Sequence, residues 1–241
     1  MAKELAIKGY DLVLVARNRS ELENVKEELL KKYTSIQIEV IAIDLSIRQN
    51  CFTLYAKAKN IDILINNAGF GIFGEFVKTD MERELNMIDT NITAVHILTK
   101  LYLQDMIKKD QGHILNVASI AGMMPGPLMA GYYASKNYIV AFTRAIQKEI
   151  KKKHSHVQFS ILCPGPVDTN FNQVAGVKFK IAGKSSQFVA NYAIKNMLKG
   201  KLMIVPGATI KIAKLLAKIT PTAIVEEVAY HMQVAKQNGK K

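Results

Sequence analysis

Short apolar runs alternate with amphipathic stretches along this chain. Asp11–Ala16 (DLVLVA) reads as a short buried strand, and Ile36–Ile43, Ile61–Ile65, His113–Val117, Val157–Leu162 and Leu202–Val205 repeat the pattern. Between them lie stretches with helical spacing. Ser20–Tyr33 carries Leu22, Val25, Leu29 and Leu30 on one face, with Ser20 as its expected N-cap. Further helices are expected over Ile47–Lys59, Met81–Lys108 and Ala130–Lys152, and in the C-terminal part. Met1–Ala6 reads as the end of a helix, with Gly9 leading into the first visible strand.

Strands that alternate with helices imply β-α-β units. The expected fold class is α/β: a doubly wound parallel sheet with helices on both faces. No internal repeat, low-complexity segment or Gly/Ser linker divides the 241 residues. One domain over 1–241 is expected, with 170–241 as an elaborated C-terminal region.

Composition narrows the class. At 49% apolar and 22% charged residues, the chain is globular rather than disordered or fibrous. Two cysteines, Cys51 and Cys163, make no disulfide framework, so a reducing, cytoplasmic setting is expected. No apolar run reaches the roughly 20 residues of a membrane span. The net charge of +13 is uneven: 170–241 hold twelve lysines, no arginine and only Glu226 and Glu227 as acids. A solvated lysine face is favoured over a polyanionic partner. Nucleic acid is disfavoured, because interleaved stacking aromatics are missing. Within Thr209–Thr220, Lys211, Lys214 and Lys218 share a narrow arc of a helical wheel. Such a helix either caps a cleft or lies on an anionic membrane surface, and the cleft is favoured.

In open parallel sheets ligands bind beyond the C-terminal strand ends. Those ends carry Arg17-Asn18, Asp44-Leu45, Asn66-Asn67-Ala68-Gly69, Ser119, and Pro164-Gly165-Pro166-Val167-Asp168-Thr169. The helix after Ser119 holds Tyr132 and Lys136, four apart and so on one face. An ammonium beside a phenol lowers its pKa and readies it for proton exchange. The pair is weak by itself, since Tyr55/Lys59 repeats the spacing. Only Tyr132 has a strand-end serine thirteen residues upstream, so Tyr55/Lys59 is read as a solvated helix face. His154 and His156 have no companion acid or cysteine that would complete a metal ligand set.

Asn66-Asn67-Ala68-Gly69, Asn91, Ser119, Tyr132-x-x-x-Lys136 and Pro164-Gly165, in this order, resemble the short-chain dehydrogenase/reductase family. The resemblance runs to about residue 170. It implies a Rossmann-like domain that moves a hydride between a nicotinamide cofactor and a small-molecule carbonyl/alcohol pair. Tyr132 would be the acid/base, Lys136 its pKa-lowering partner and a ribose ligand. Ser119 would hold the substrate oxygen, and Asn91 would anchor a relay water. Asp44 and Leu45 would border adenine, and Asn67, Ala68 and Gly69 would line the cofactor cleft. Pro164, Gly165, Val167 and Thr169 would enclose the nicotinamide.

Arg17, where an NAD-type site would hold an acid, points to NADP(H) over NAD(H), with Asn18 beside it. Phe171, Phe179, Ile181 and Phe188 suggest an apolar wall and a hydrophobic substrate, although core packing accounts for them equally. A homo-oligomer is compatible with all of this. The family's opening strand and Gly-rich phosphate turn have no counterpart before Gly9. The expectation is a start truncated relative to the functional protein. The lost strand alone would be worth roughly 10 kcal/mol of burial. The alternative is an inactive fragment or a non-catalytic nucleotide-binding protein.

Overall fold

A computed structural model of the chain describes residues 1–169, 171, 175, 183–207 and 220–237. Helix α1 (Ala2–Ala6) closes on a left-handed Gly9, φ +78°, and delivers the chain to β1 (Leu12–Ala16). There follow α2 (Arg19–Leu30), β2 (Ile38–Ala42), α3 (Arg48–Lys57), β3 (Ile63–Asn66), α4 (Met81–Ile88) and α5 (Ala94–Lys109). Next come β4 (His113–Val117), α6 (Ala130–Lys152) and β5 (Gln158–Leu162). The C-terminal part adds a small pair, β6 (Val167–Asp168) with β7 (Lys184–Ser185), then α7 (Ser186–Met197), β8 (Met203–Ile204) and α8 (Thr222–Gln237).

All strand pairs are parallel. The strand-and-helix alternation of the sequence is thus an α/β fold with a parallel sheet and helices on both faces. Pairing is in two pieces: β1 with β2, and β3-β4-β5-β8 in that order. On one face Leu5 and Ala6 of α1 share a buried cluster with Leu12, Leu115, Leu162 and Val189. On the other, Cys51 and Leu54 of α3 pack with Leu98, Tyr102, Ile114 and Phe159. Both clusters reach across the two pieces of sheet, so the helices hold the pieces side by side.

Two local expectations need correction. Asn18, not Ser20, caps α2: its Oδ1 accepts the Glu21 N–H at 3.3 Å and the Ser20 hydroxyl at 2.8 Å. The long helix expected over Met81–Lys108 contains one π turn, Asp89–Thr93, between α4 and α5. Such wide turns recur at functional sites, and this one turns Asn91 fully inward, at 0% exposure. The lysine-bearing segment at 209–219 lies outside the described residues, as do Phe179 and Ile181.

Candidate active site

The strand ends do converge. Arg17, Asp44, Leu45, Asn67, Ala68 and Gly69 line one cavity of about 2320 Å³. Ser119, Tyr132, Lys136, Pro164, Gly165, Val167 and Thr169 line the same cavity. Asn18 does not, and its side chain is engaged in the α2 cap. Asn91 lies behind the wall.

Three elements place the chemical groups. Strand β4 ends at Val117, whose carbonyl accepts a hydrogen bond from the Lys136 ammonium at 2.9 Å. The next residues turn through a short 3₁₀ stretch, Ile120–Met123, capped by Ser119, whose Oγ accepts the Ala121 N–H at 3.1 Å. That turn lies directly on α6: a Cβ at Gly122 would sit 2.5 Å from the Lys136 carbonyl oxygen. From α6, Asn137 Nδ2 reaches the Ala121 and Met124 carbonyls at 3.0 Å each. Ser119 is therefore held against Tyr132 by a glycine and an asparagine that the sequence reading passed over. The visible signal was Asn137 itself, a polar residue beside Lys136.

Asn91 acts as a clamp. Its Oδ1 accepts the Phe70 N–H at 3.1 Å, while Nδ2 donates to the Phe70 carbonyl at 2.9 Å and to Ser135 Oγ at 3.0 Å. It thereby ties the loop after β3 to α6. Gly69 passes so close that a Cβ there would come within 2.8 Å of Asn91 Oδ1. Beneath the site runs a buried polar ladder that sequence patterns did not show. Asn66 Nδ2 donates to Thr99 Oγ1 at 3.1 Å and to Asn116 Oδ1 at 2.8 Å, and Asn116 Nδ2 donates to Thr143 Oγ1 at 2.9 Å. Fully satisfied networks of this kind rigidify a core.

The electrostatics differ from the expectation that Lys136 lowers the Tyr132 pKa. Burial pushes the phenol up to about 12, and its hydrogen bond with the Ser119 hydroxyl opposes that rise without cancelling it. The same burial brings Lys136 down to about 8. The ammonium lies 5.8 Å from the centroid of the Tyr132 ring. Desolvation is the largest influence on both groups.

The cleft wall beside Tyr132 is apolar. Phe171 lies 5.3 Å from the Tyr132 ring, and Met129, Phe73 and Tyr133 complete the cluster. Helix α8 is fastened over it by Gln233 Nε2, which donates to the Tyr133 hydroxyl at 2.9 Å. Its Ile224 and Val228 line the cavity. Phe188 stands apart, stacked on Tyr192 at 6.0 Å. Tyr55 is also elsewhere: its hydroxyl donates to Asp105 at 2.5 Å, so the Tyr55/Lys59 face is anchored rather than freely solvated.

Residues 1–178 match the family model described as "short chain dehydrogenase", and the chain belongs to that family. A very-long-chain 3-oxoacyl-CoA reductase from Anas platyrhynchos is 32% identical over 185 residues, covering 74% of this chain and 58% of that protein. The chain thus spans well under two thirds of that relative. Among solved structures, a short-chain dehydrogenase from Sphingobium yanoikuyae in complex with NADPH aligns with a TM-score of 0.80 at 23% identity, over 92% of this chain and 91% of that one. A short-chain dehydrogenase/reductase from Burkholderia phymatum in complex with NAD aligns with a TM-score of 0.80 at 21% identity, over 89% and 86%. Both show the same fold.

Proposed function

We propose that the chain is an NADP(H)-dependent oxidoreductase acting on a hydrophobic carbonyl/alcohol substrate. One observation carries this reading: Ser119, Tyr132 and Lys136 meet at the wall of the cavity that Arg17 also lines. The residues present fit a nicotinamide nucleotide at both ends. Val117 engages one of the three ammonium donors of Lys136, leaving the others for ribose hydroxyls. At the other end Arg17 is exposed at the end of β1, where a guanidinium can take a ribose phosphate in bidentate fashion. When bound, the nicotinamide supplies or accepts the hydride.

The chain's own groups do the rest. Ser119 and Tyr132 donate hydrogen bonds to the substrate oxygen, where negative charge develops on reduction. At neutral pH a phenol of pKa about 12 keeps its proton and gives it to the nascent alkoxide, a stronger base. The Lys136 ammonium then stabilises the phenolate left behind. Phe171, Ile224 and Val228 supply the apolar surface that accepts the substrate.

A second reading, a non-catalytic nucleotide-binding protein, draws on one feature: β1 and β3, the strands nearest the cofactor, are not paired to each other. The two separate on one experiment. NADPH consumption is followed with a panel of hydrophobic ketones and a 3-oxoacyl thioester, chosen for the relative's name. Turnover by the parent that Tyr132→Phe abolishes supports the enzyme. NADPH binding without turnover on any compound supports the second reading.

A further inference from the structure

Beside Tyr132, the next residue of α6 offers a second phenol. Tyr133 lines the same cavity, and its ring stands 6.1 Å from that of Tyr132, nearly edge-on at 79°. Its placement is fixed twice. A Cβ at Gly126 would come 2.3 Å from the ring, so the loop ahead of α6 presses on it. From α8, Ala229 and Gln233 turn inward, one helical turn apart and 7% and 1% exposed. Gln233 Nε2 donates to the Tyr133 hydroxyl at 2.9 Å.

A phenol hydroxyl carries one proton and can both donate and accept. Here the oxygen accepts from the buried amide, so its own proton points elsewhere. Among the described residues no group accepts that proton, and the cavity lies beside it. Burial raises the Tyr133 pKa, with the Gln233 bond opposing, so the proton stays on at neutral pH. The side chains packed around it give no acceptor: Met129, Phe171 and Ala175 are apolar. A half-buried donor is destabilising unless water or a ligand takes it up.

We propose that Tyr133 is a second recognition point for the substrate: its hydroxyl, turned by Gln233, donates a hydrogen bond to an oxygen other than the one that reacts. The proposal rests on the proposed activity and deepens it, naming the substrate class as an apolar chain with two oxygen functions near one end. The reacting carbonyl sits at Ser119 and Tyr132. The second oxygen, a hydroxyl or carbonyl, sits at Tyr133, and the chain runs along Phe171, Ile224 and Val228. Adjacent places on α6, with rings 6.1 Å apart, keep both phenols within reach of one small molecule. A ketone without a second oxygen leaves the Tyr133 donor unmade, which a site built around a hydrogen bond penalises. Gln233 is a positioning residue: by occupying one side of the Tyr133 oxygen it holds the proton on the other.

Calorimetric titration of the full chain in the presence of NADPH tests this. The probes are long-chain diols whose second hydroxyl lies one, two or three carbons from the first, and the monoalcohol of the same length. Alcohols do not react with the reduced cofactor, so binding is read without turnover. The parent should prefer at least one diol over the monoalcohol by about tenfold, and in Tyr133→Phe that preference should fall to within about twofold. Simple fastening of α8 would move both probes alike. Equal losses for diol and monoalcohol therefore overturn the proposal, as does a preference kept by Tyr133→Phe or absent from the parent. Gln233→Glu isolates the positioning role. At about pH 9.5, above the range of buried carboxyls, its carboxylate can only accept, so the Tyr133 proton turns to it. Helix α8 stays joined to α6, yet the diol preference should go; a preference kept there overturns the role of Gln233. Consumption of NADPH with long-chain hydroxy ketones is followed separately. The expected diol pattern without turnover counts against the activity alone, and turnover without a diol preference counts against the Tyr133 contact alone.

Discussion

Strands β4 and β1 are both five residues long, β1 wholly apolar and β4 carrying His113 and Asn116 among apolar residues, yet the structure buries the more polar strand more deeply. Four of the five β4 residues are buried, whereas β1 buries only Leu12. Strand β4 has a partner on each side; β1 has one. The wall that bears Ser119, Tyr132 and Lys136 is built on the well-packed strand. Ser119 and Lys136 hang from the end of β4 and from α6, over a satisfied ladder of Asn66, Asn116 and Thr143. The cavity wall at Arg17 is built on the strand with one paired edge. Proton transfer needs groups held within tenths of an ångström, and that half of the molecule is packed to supply this.

The strongest way to break the contrast is Tyr132→Phe. Removing one hydroxyl keeps the packing, so turnover should fall by about 10²–10⁴ with an unchanged melting temperature. Tyr55→Phe should leave turnover alone. Steady-state rates and thermal melts check both, and a parental rate for Tyr132→Phe would sink the catalytic assignment.

Asn91→Ala attacks the packing of the same wall. It strands the Phe70 N–H and C=O and removes the bond that Ser135 Oγ accepts, while that hydroxyl keeps its bond to the Tyr132 carbonyl, so stability should drop by roughly 3 kcal/mol. Denaturant titration measures it. A loss below about 1 kcal/mol would mean the clamp is dispensable.

Lys136→Met should do the opposite to stability while ending catalysis. Burial lowers the folded pKa of Lys136 from 10.5 to about 8, so the unfolded chain binds more protons between these values. Stability of the parent should therefore rise with pH across that window, and below it the buried charge costs the full amount. The methionine variant should be more stable than the parent by roughly 1–3 kcal/mol at neutral pH, the lost Val117 bond being offset against the charge. That advantage should shrink as pH climbs from 8 towards 10.5. Paired melts over this range test it, and a gap that widens with pH would contradict the burial argument.

On the nucleotide wall, Arg17→Ala should weaken NADPH binding by roughly 10–100-fold and leave NADH nearly unchanged. Equal losses in titrations with both cofactors would remove Arg17 from the phosphate site.

Spacing located β4 over His113–Val117 and α6 over roughly Ala130–Lys152, because each carries a buried apolar set and a clear stop. Strand-end chemistry likewise pointed to Ser119, Tyr132, Lys136 and the Asn-Asn-Ala-Gly turn, since ligands gather where parallel strands end. What it misjudged was local competition. Asn18 and Ser20 are both good caps, and only the path from β1 to α2 selects Asn18. Asn91, expected to anchor a relay water, also has a packing task that spacing could not show: the π turn points its amide into the core, where Phe70 and Ser135 take it up.

The order of strands, helices and reactive side chains was thus determined by the sequence itself, through short-range spacing that each segment carries alone. Tertiary structure decided the rest, because it depends on neighbours distant in the chain. Gly122 lies on the Lys136 carbonyl, and Asn137 bonds the Ala121 and Met124 carbonyls, so α6 and the 120s turn meet through residues that no local spacing links. The Tyr132 pKa follows burial, with Phe171 packed 5.3 Å from its ring, rather than the spacing of four to Lys136. The half-exposure of β1 and β3 also appears only once the sheet is assembled. A strand's sequence records which side chains it wants buried, but not whether a neighbour is there to pair with its edge.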